Sequence, residues 1–156
     1  MENVKMLVFD MDGTLNKLYE VPNWLEMLRN ENTYPYIVAE PMWDMKILAD
    51  LLNEFRAQGG IVAVVSWLSM GSSQEYKDLV RLAKRKWLAD MGFPADYIHL
   101  VQYGATKANS VRKRLAGGGS AVLFDDNEKI RSGWTLGETI DPTEQDIIEV
   151  IRGLLK

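Results

Sequence analysis

Val4-Lys5-Met6-Leu7-Val8-Phe9-Asp10-Met11-Asp12-Gly13-Thr14-Leu15 is the stretch from which the rest of the chain can be read. Its first half is almost continuously apolar and rich in β-branched and aromatic residues. A strand covered on both faces in a parallel sheet reads this way. It then breaks into Asp-x-Asp-Gly-Thr. Two carboxylates one residue apart share the strand's exit, and Gly13 lets the chain turn away at once. Neighbouring carboxylates repel, so the pair calls for a cation or a shared proton. An ordinary turn after a strand also favours Asp and Gly.

Outward from this strand, the residues from Asn16 to Met42 form the least regular part. Pro22 opens a short helix with Trp24, Leu25 and Leu28 on one side, and Asn30-Glu31-Asn32 ends it. Tyr34-Pro35-Tyr36 and Glu40-Pro41 predict extended or turning backbone. Between Asp44 and Gly59 the period is helical: Ile47, Leu48, Leu51, Leu52 and Phe55 share a face, Asp44 caps the start and Gly59-Gly60 the end. Ile61 to Val65 is a second buried strand, running into Ser66-Trp67. Ser72-x-x-Glu75 matches a capping box for a helix to about Met91, with Tyr76, Leu79, Val80, Ala83 and Trp87 as its buried stripe.

Tyr97 to Val101 is a third strand, and Thr106 caps a helix through Leu115 that Gly117-Gly118-Gly119 stops. Ala121 to Phe124 is a fourth buried strand, ending in Asp125-Asp126-Asn127. Glu138-Thr139-Ile140 reads as a short edge strand. Asp141-Pro142-x-Glu144 caps a last helix with Ile147, Ile148, Ile151, Leu154 and Leu155 toward the core. This alternation predicts a single domain over residues 1–156, a doubly wound parallel α/β sheet. Its one irregularity is a small insert at about residues 15–42.

The 156 residues carry a net charge of −4, which does not invite a stable nucleic-acid partner or an anionic membrane. The absence of cysteine excludes disulfides, thiol nucleophiles and thiolate metal sites. The N-terminal residues do not read as a signal peptide and no run is long enough for a membrane helix, so a cytoplasmic location is expected. Lys84-Arg85-Lys86 reads as a solvated helix face, Arg112-Lys113-Arg114 suits the C-terminal half of its helix, and His99 is structural.

In open α/β sheets, ligands bind beyond the carboxyl ends of the strands. Asp10 and Asp12, Ser66, and Asp125 and Asp126 all stand at such ends, and Lys107 follows the third strand. Lys107 at a helix start opposes the helix dipole, so a charge partner is expected rather than a structural role. Four carboxylates, a hydroxyl and an ammonium suit Mg²⁺ with a phosphate held against it. Asp125 has a plainer role open to it, as a cap for the helix near Asn127.

Phe9-Asp10-Met11-Asp12-Gly13-Thr14-Leu15 resembles the first motif of the haloacid dehalogenase superfamily, whose members are mostly magnesium-dependent phosphatases. Val64-Val65-Ser66-Trp67 is similar to its second motif, and Lys107 in Gly104-Ala-Thr-Lys-Ala-Asn109 to the lysine of its third. Leu123-Phe124-Asp125-Asp126-Asn127 is similar to its fourth. The resemblance runs in order from about residue 4 to 134. The first and fourth motifs are specific, whereas a lone Ser or Lys after a strand is weak.

This resemblance implies a Mg²⁺-dependent phosphomonoester hydrolase with Asp10 as nucleophile, forming an aspartyl-phosphate, and Asp12 as general acid and then base. Mg²⁺ would take Asp10, the backbone carbonyl of Asp12 and Asp126, with Asp125 as support, paired to Lys107. Ser66, the N–H of Trp67 and Lys107 would hold the phosphate, and Thr14 would donate nearby. Neither gap between motifs holds a full cap domain, so a minimal-cap member with an open site is expected. Tyr19, Trp24, Tyr34, Tyr36 and Trp43 in and beside the insert are available to stack on a nucleobase, though Trp24 and Trp43 also suit core packing. A nucleotide or nucleic-acid end is therefore the expected substrate. Another phosphate ester, a phosphoprotein, or a non-catalytic phosphate-binding role are the alternatives. A signalling receiver domain uses similar residues, but it takes them from successive strands in another order.

Overall fold

The computed structural model describes residues 3–156. Five parallel strands form one sheet in the order β3-β2-β1-β4-β5: β1 Val4–Phe9, β2 Ile61–Trp67, β3 Tyr97–Val101, β4 Ser120–Phe124 and β5 Thr139–Ile140. β1 lies in the middle. Phe9 is in register with Val64 on one side and Phe124 on the other, so the residues that follow these strands emerge side by side.

Helices cover both faces, as the alternation of elements requires. In β1 the side chains of Leu7 and Phe9 point one way and those of Met6 and Val8 the other, and all four are buried. The first face packs on Leu48, Leu52 and Phe55 of α3 (Met45–Ala57) and on Ile147 and Ile151 of α7 (Ile147–Leu154). The second packs on Ala108 and Val111 of α5 (Lys107–Val111) and on Trp134. The rings of Phe9 and Phe124 stack with centroids 4.6 Å apart. Burying Phe9 completely contributes about 1.5–3 kcal/mol, and it fixes the strand end from which Asp10 projects.

The insert folds into a 3₁₀ turn (Leu18–Glu20), α1 (Trp24–Arg29) and α2 (Tyr34–Val38). Tyr34-Pro35-Tyr36 is thus helical, not extended: Pro35 lies in the first turn, where a missing N–H costs nothing. Helix α1 starts after Asn23 and buries none of its residues, and Leu25 is exposed. The insert is tied to one face of α4 (Gln74–Asp90). Glu31 accepts from the N–H and hydroxyl of Ser73, Tyr76 donates its hydroxyl to Asn32 O at 2.9 Å, and Trp87 donates Nε1–H to Ala39 O at 2.8 Å.

Three helix details differ from the sequence pattern. Ser73, not Ser72, caps α4, because the Ser72 hydroxyl is engaged with Ser69. The last helix begins after Asp146, while Asp141 holds a turn through Thr143. Ile47 and Leu79 sit at the edge of their apolar stripes and are exposed. Asp44 does cap α3, accepting from Lys46 and Ile47 N–H. After α5, Arg112–Leu115 is a 3₁₀ turn, and α6 (Glu128–Ser132) follows β4. Among the described residues no helix is long and apolar enough to cross a membrane.

Candidate active site

The carboxyl ends of β2, β1 and β4 open into a cleft of about 670 Å³. Asp10, Asp12, Ser66, Trp67, Lys107, Asp125 and Asp126 all line it. Thr14, the remaining residue expected at the site, does not: it is fully buried and its hydroxyl donates to Asp10 Oδ2 at 3.2 Å. It therefore faces the carboxylate it orients rather than the cleft.

Lys107 stands at the start of α5 and is almost wholly buried. Its ammonium donates to Asp10 Oδ1 at 2.9 Å and to Asp125 Oδ2 at 2.8 Å. Burial would lower its pKa, but the two carboxylates outweigh that and hold it above the ordinary lysine value. Asp125 also accepts from the N–H of Asn127 at 2.9 Å, so it serves both as charge partner and as support for the turn into α6. Asn127 itself caps α6.

Asp126 has no such partner among the described cations. Burial, then the charge of Asp10 and a hydrogen bond to it, push its carboxyl up to about 8. Burial and Asp10 likewise push Asp125 up to about 6, against Lys107. Asp10, Asp125 and Asp126 bring one ligand oxygen each within 4.8 Å of one another. A cation placed among these oxygens would offset the repulsion that raises both carboxyls. Hard oxygen donors with no nitrogen or sulfur suit Mg²⁺ rather than a softer metal.

Gly13 makes this closeness possible. Its φ of +78° favours glycine, and a Cβ there would lie 2.7 Å from the Tyr19 ring and closer still to Asp126 Oδ2.

Sequence reasoning placed Lys84, a residue of the site, on the surface. Lys84 of α4 belongs to the run expected to be a solvated face, yet it is completely buried. Its ammonium donates to Asp12 Oδ2 at 3.0 Å, Ser66 Oγ at 2.8 Å and Trp67 O at 2.9 Å, and lies 5.1 Å from the Tyr36 ring centroid. The signal was present in the spacing. Tyr76, Val80, Lys84 and Trp87 fall on one helical stripe, and the other three are buried.

The aromatic residues divide. Tyr19 packs edge-on against Trp24 at 4.8 Å, and Trp67 tilts against Tyr103 at 4.8 Å, all four along the cleft. Tyr36 lines it from a buried position. Tyr34 and Trp43 do not line it, and Trp43 donates Nε1–H to Thr14 O at 2.7 Å. Burial and the nearby carboxylates Asp12, Asp126, Asp10 and Asp125 raise the Tyr19 pKa, so its hydroxyl keeps its proton.

No protein-family model matches the chain, and no curated protein does. Among solved structures, the chain is similar to a D,D-heptose 1,7-bisphosphate phosphatase from Burkholderia thailandensis, with 14% identity over 82% of this chain and 70% of that one and a TM-score of 0.49. It is also similar to the D,D-heptose 1,7-bisphosphate phosphatase from B. bronchiseptica, a structure complexed with magnesium and phosphate. There the identity is 12% over 97% of this chain and 98% of that one, with a TM-score of 0.51. This second likeness, spanning nearly the whole of both chains, shows that the chain shares the α/β fold of that phosphatase.

Proposed function

We propose that the protein is a Mg²⁺-dependent phosphomonoester hydrolase of the haloacid dehalogenase type, with a minimal cap, working through an aspartyl-phosphate on Asp10. The observation that carries this reading is the pairing of Asp10 with Lys107 beside two further carboxylates in an open cleft. The order of motifs along the chain supports it.

Asp10 is held from both sides, by Thr14 on Oδ2 and Lys107 on Oδ1. In the first step Asp10 Oδ forms a bond to phosphorus while the bond from phosphorus to the leaving oxygen breaks. Asp12 gives that oxygen a proton. In the second step water attacks phosphorus, its proton passes to Asp12, and the acyl-phosphate bond breaks to restore the Asp10 carboxylate. Lys107 balances charge on Asp10 and on the incoming phosphate. The Ser66 hydroxyl and the Trp67 N–H are assigned to the phosphoryl oxygens.

Mg²⁺ would be held by Asp10, the Asp12 backbone carbonyl and Asp126, with Asp125 in support. Asp125 is already occupied by Lys107 and Asn127, whereas Asp126 is the carboxylate without a cation. When bound, the ion supplies charge neutralisation for phosphate beside a carboxylate nucleophile.

The insert contributes Tyr19, Trp24, Leu25, Leu28 and Arg29 to one wall of the cleft, and Trp67 and Tyr103 lie on another. The four aromatic rings along an open cleft support a nucleotide or a nucleic-acid end as substrate over a sugar phosphate. Phosphate release from p-nitrophenyl phosphate tests the core of the reading. Turnover is expected to need Mg²⁺ and to fall below a few percent in Asp10→Asn. Full activity in a chelator, or an active Asp10→Asn protein, would overturn it.

A further inference from the structure

Lys84 is a second buried lysine at the cleft, and its hydrogen bonds account for all of its protons. An ammonium has three N–H donors and accepts nothing. Those donors meet Asp12 Oδ2, Ser66 Oγ and Trp67 O at 2.8 to 3.0 Å. The ammonium lies outside the cleft lining, so it does not meet a bound ester. Its effect has to pass through the residues that do.

Two consequences follow from the donor count. Ser66 must accept from Lys84, so its own hydroxyl hydrogen is free to be donated elsewhere, and the serine lines the cleft. Asp12 is gripped at both oxygens, by Lys84 on Oδ2 and by Asn16 Nδ2 at 3.1 Å on Oδ1. That holds its plane with respect to the cleft. Lys84 reaches across from α4, the helix to which the insert is tied, and also sits against Tyr36 of that insert.

We propose that Lys84 is a positioning residue for the hydrolase: it orients the Asp12 carboxyl group toward the leaving-group oxygen and turns the Ser66 hydroxyl into a donor aimed at the phosphate. This inference rests on the phosphomonoesterase reading. Proton transfer from a positioned acid contributes typically 10²–10⁴-fold, and it matters only where the leaving oxygen is basic. An alkyl phosphate needs the proton. A p-nitrophenyl phosphate departs as a stable phenolate and hardly needs it.

The test is therefore kcat/KM for both esters, with Mg²⁺, in wild type, Lys84→Met and Lys84→Gln. The ratio kcat/KM covers steps up to leaving-group departure. Both variants are expected to lose some activity on either ester through Ser66, with the loss on the alkyl phosphate exceeding that on p-nitrophenyl phosphate by ~30-fold or more. Inorganic phosphate should also inhibit both variants more weakly than wild type, because Ser66 loses its imposed direction. Equal losses on the two esters, no loss on either, or collapse of both activities in both variants would overturn the proposal. Failure of wild type to hydrolyse either ester would instead remove the phosphatase reading, so the two failures are distinct.

Discussion

Replacing Lys107 by methionine removes one buried charge and leaves the packing volume almost unchanged. In the native protein its side chain is 3% exposed and bridges Asp10 at 2.9 Å and Asp125 at 2.8 Å. Methionine keeps the apolar stem but leaves three carboxylates clustered within 4.8 Å without their ammonium. Truncating one partner of a buried ion pair costs about 3–5 kcal/mol, because the other charge stays buried and unpaired. The cluster can lower this cost by taking up protons, so the effect depends on pH.

Burial and Asp10 raise Asp125 to about 6, and burial and Asp10 raise Asp126 to about 8. A carboxyl whose folded pKa lies above its unfolded value binds more protons folded than unfolded. Stability therefore falls as pH rises from about 4 through the folded value. Loss of Lys107 raises these values further, which extends the fall. Urea unfolding followed by tryptophan fluorescence in chelator should show a small cost at pH 5 and about 3–5 kcal/mol at pH 8.5. Added Mg²⁺ should recover part of it, since an ion that binds only the folded state stabilises it. A cost under ~1 kcal/mol at pH 8.5, or the same cost at both pH values, would refute the charge argument.

Two further outcomes are expected. Gly13→Ala should lower the melting temperature and weaken Mg²⁺ binding together, because a left-handed alanine costs roughly 1–2 kcal/mol and its methyl displaces Asp126; calorimetric Mg²⁺ titration unchanged from wild type would remove the steric argument. If a base stacks in the cleft, Tyr19→Ala should reduce kcat/KM for a nucleoside monophosphate by about ten- to a hundredfold relative to a sugar phosphate, the worth of 1–3 kcal/mol of stacking. Equal losses on the two substrates would end the nucleotide reading while leaving the phosphatase core standing.

The sheet and the strand-end carboxylates were legible in the sequence because both follow from short-range rules. A strand covered on both faces must be apolar throughout, as Val62 to Val65 and Ala121 to Phe124 are, and its polar residues must begin where it ends. Lys84 was not legible for the opposite reason. A lysine is ordinarily solvated, and Arg85 and Lys86 beside it are exposed, so composition argued for a surface. What buries it is a partner 72 residues away, Asp12, together with Ser66. Tyr34 misled in another way. It belongs to the insert whose aromatics suggested stacking, but helix α2 turns it away from the cleft and brings Tyr36 in instead. Which rings face a site depends on how an irregular segment docks, here through Glu31, Asn32 and Ala39 on α4, and no periodic pattern encodes that.

The two buried lysines together give the site a definite charge requirement. Asp10, Asp12, Asp125 and Asp126 are four carboxylates, and Lys84 and Lys107 supply two ammoniums, so with every group ionised the site carries a formal −2. The lysines divide the work by strand. Lys107 lies between Asp10 of β1 and Asp125 of β4, while Lys84 lies between Asp12 after β1 and Ser66 of β2. Neither reaches Asp126, and that is the carboxyl raised furthest above its ordinary value. The missing charge is thus localised on one side of Asp10, at the oxygens that converge within 4.8 Å. A cation bound there would offset the repulsion among Asp10, Asp125 and Asp126. The donors there are carboxylate oxygens alone, the kind of set Mg²⁺ takes beside a phosphate, and this supports the proposed metal independently of the order of motifs.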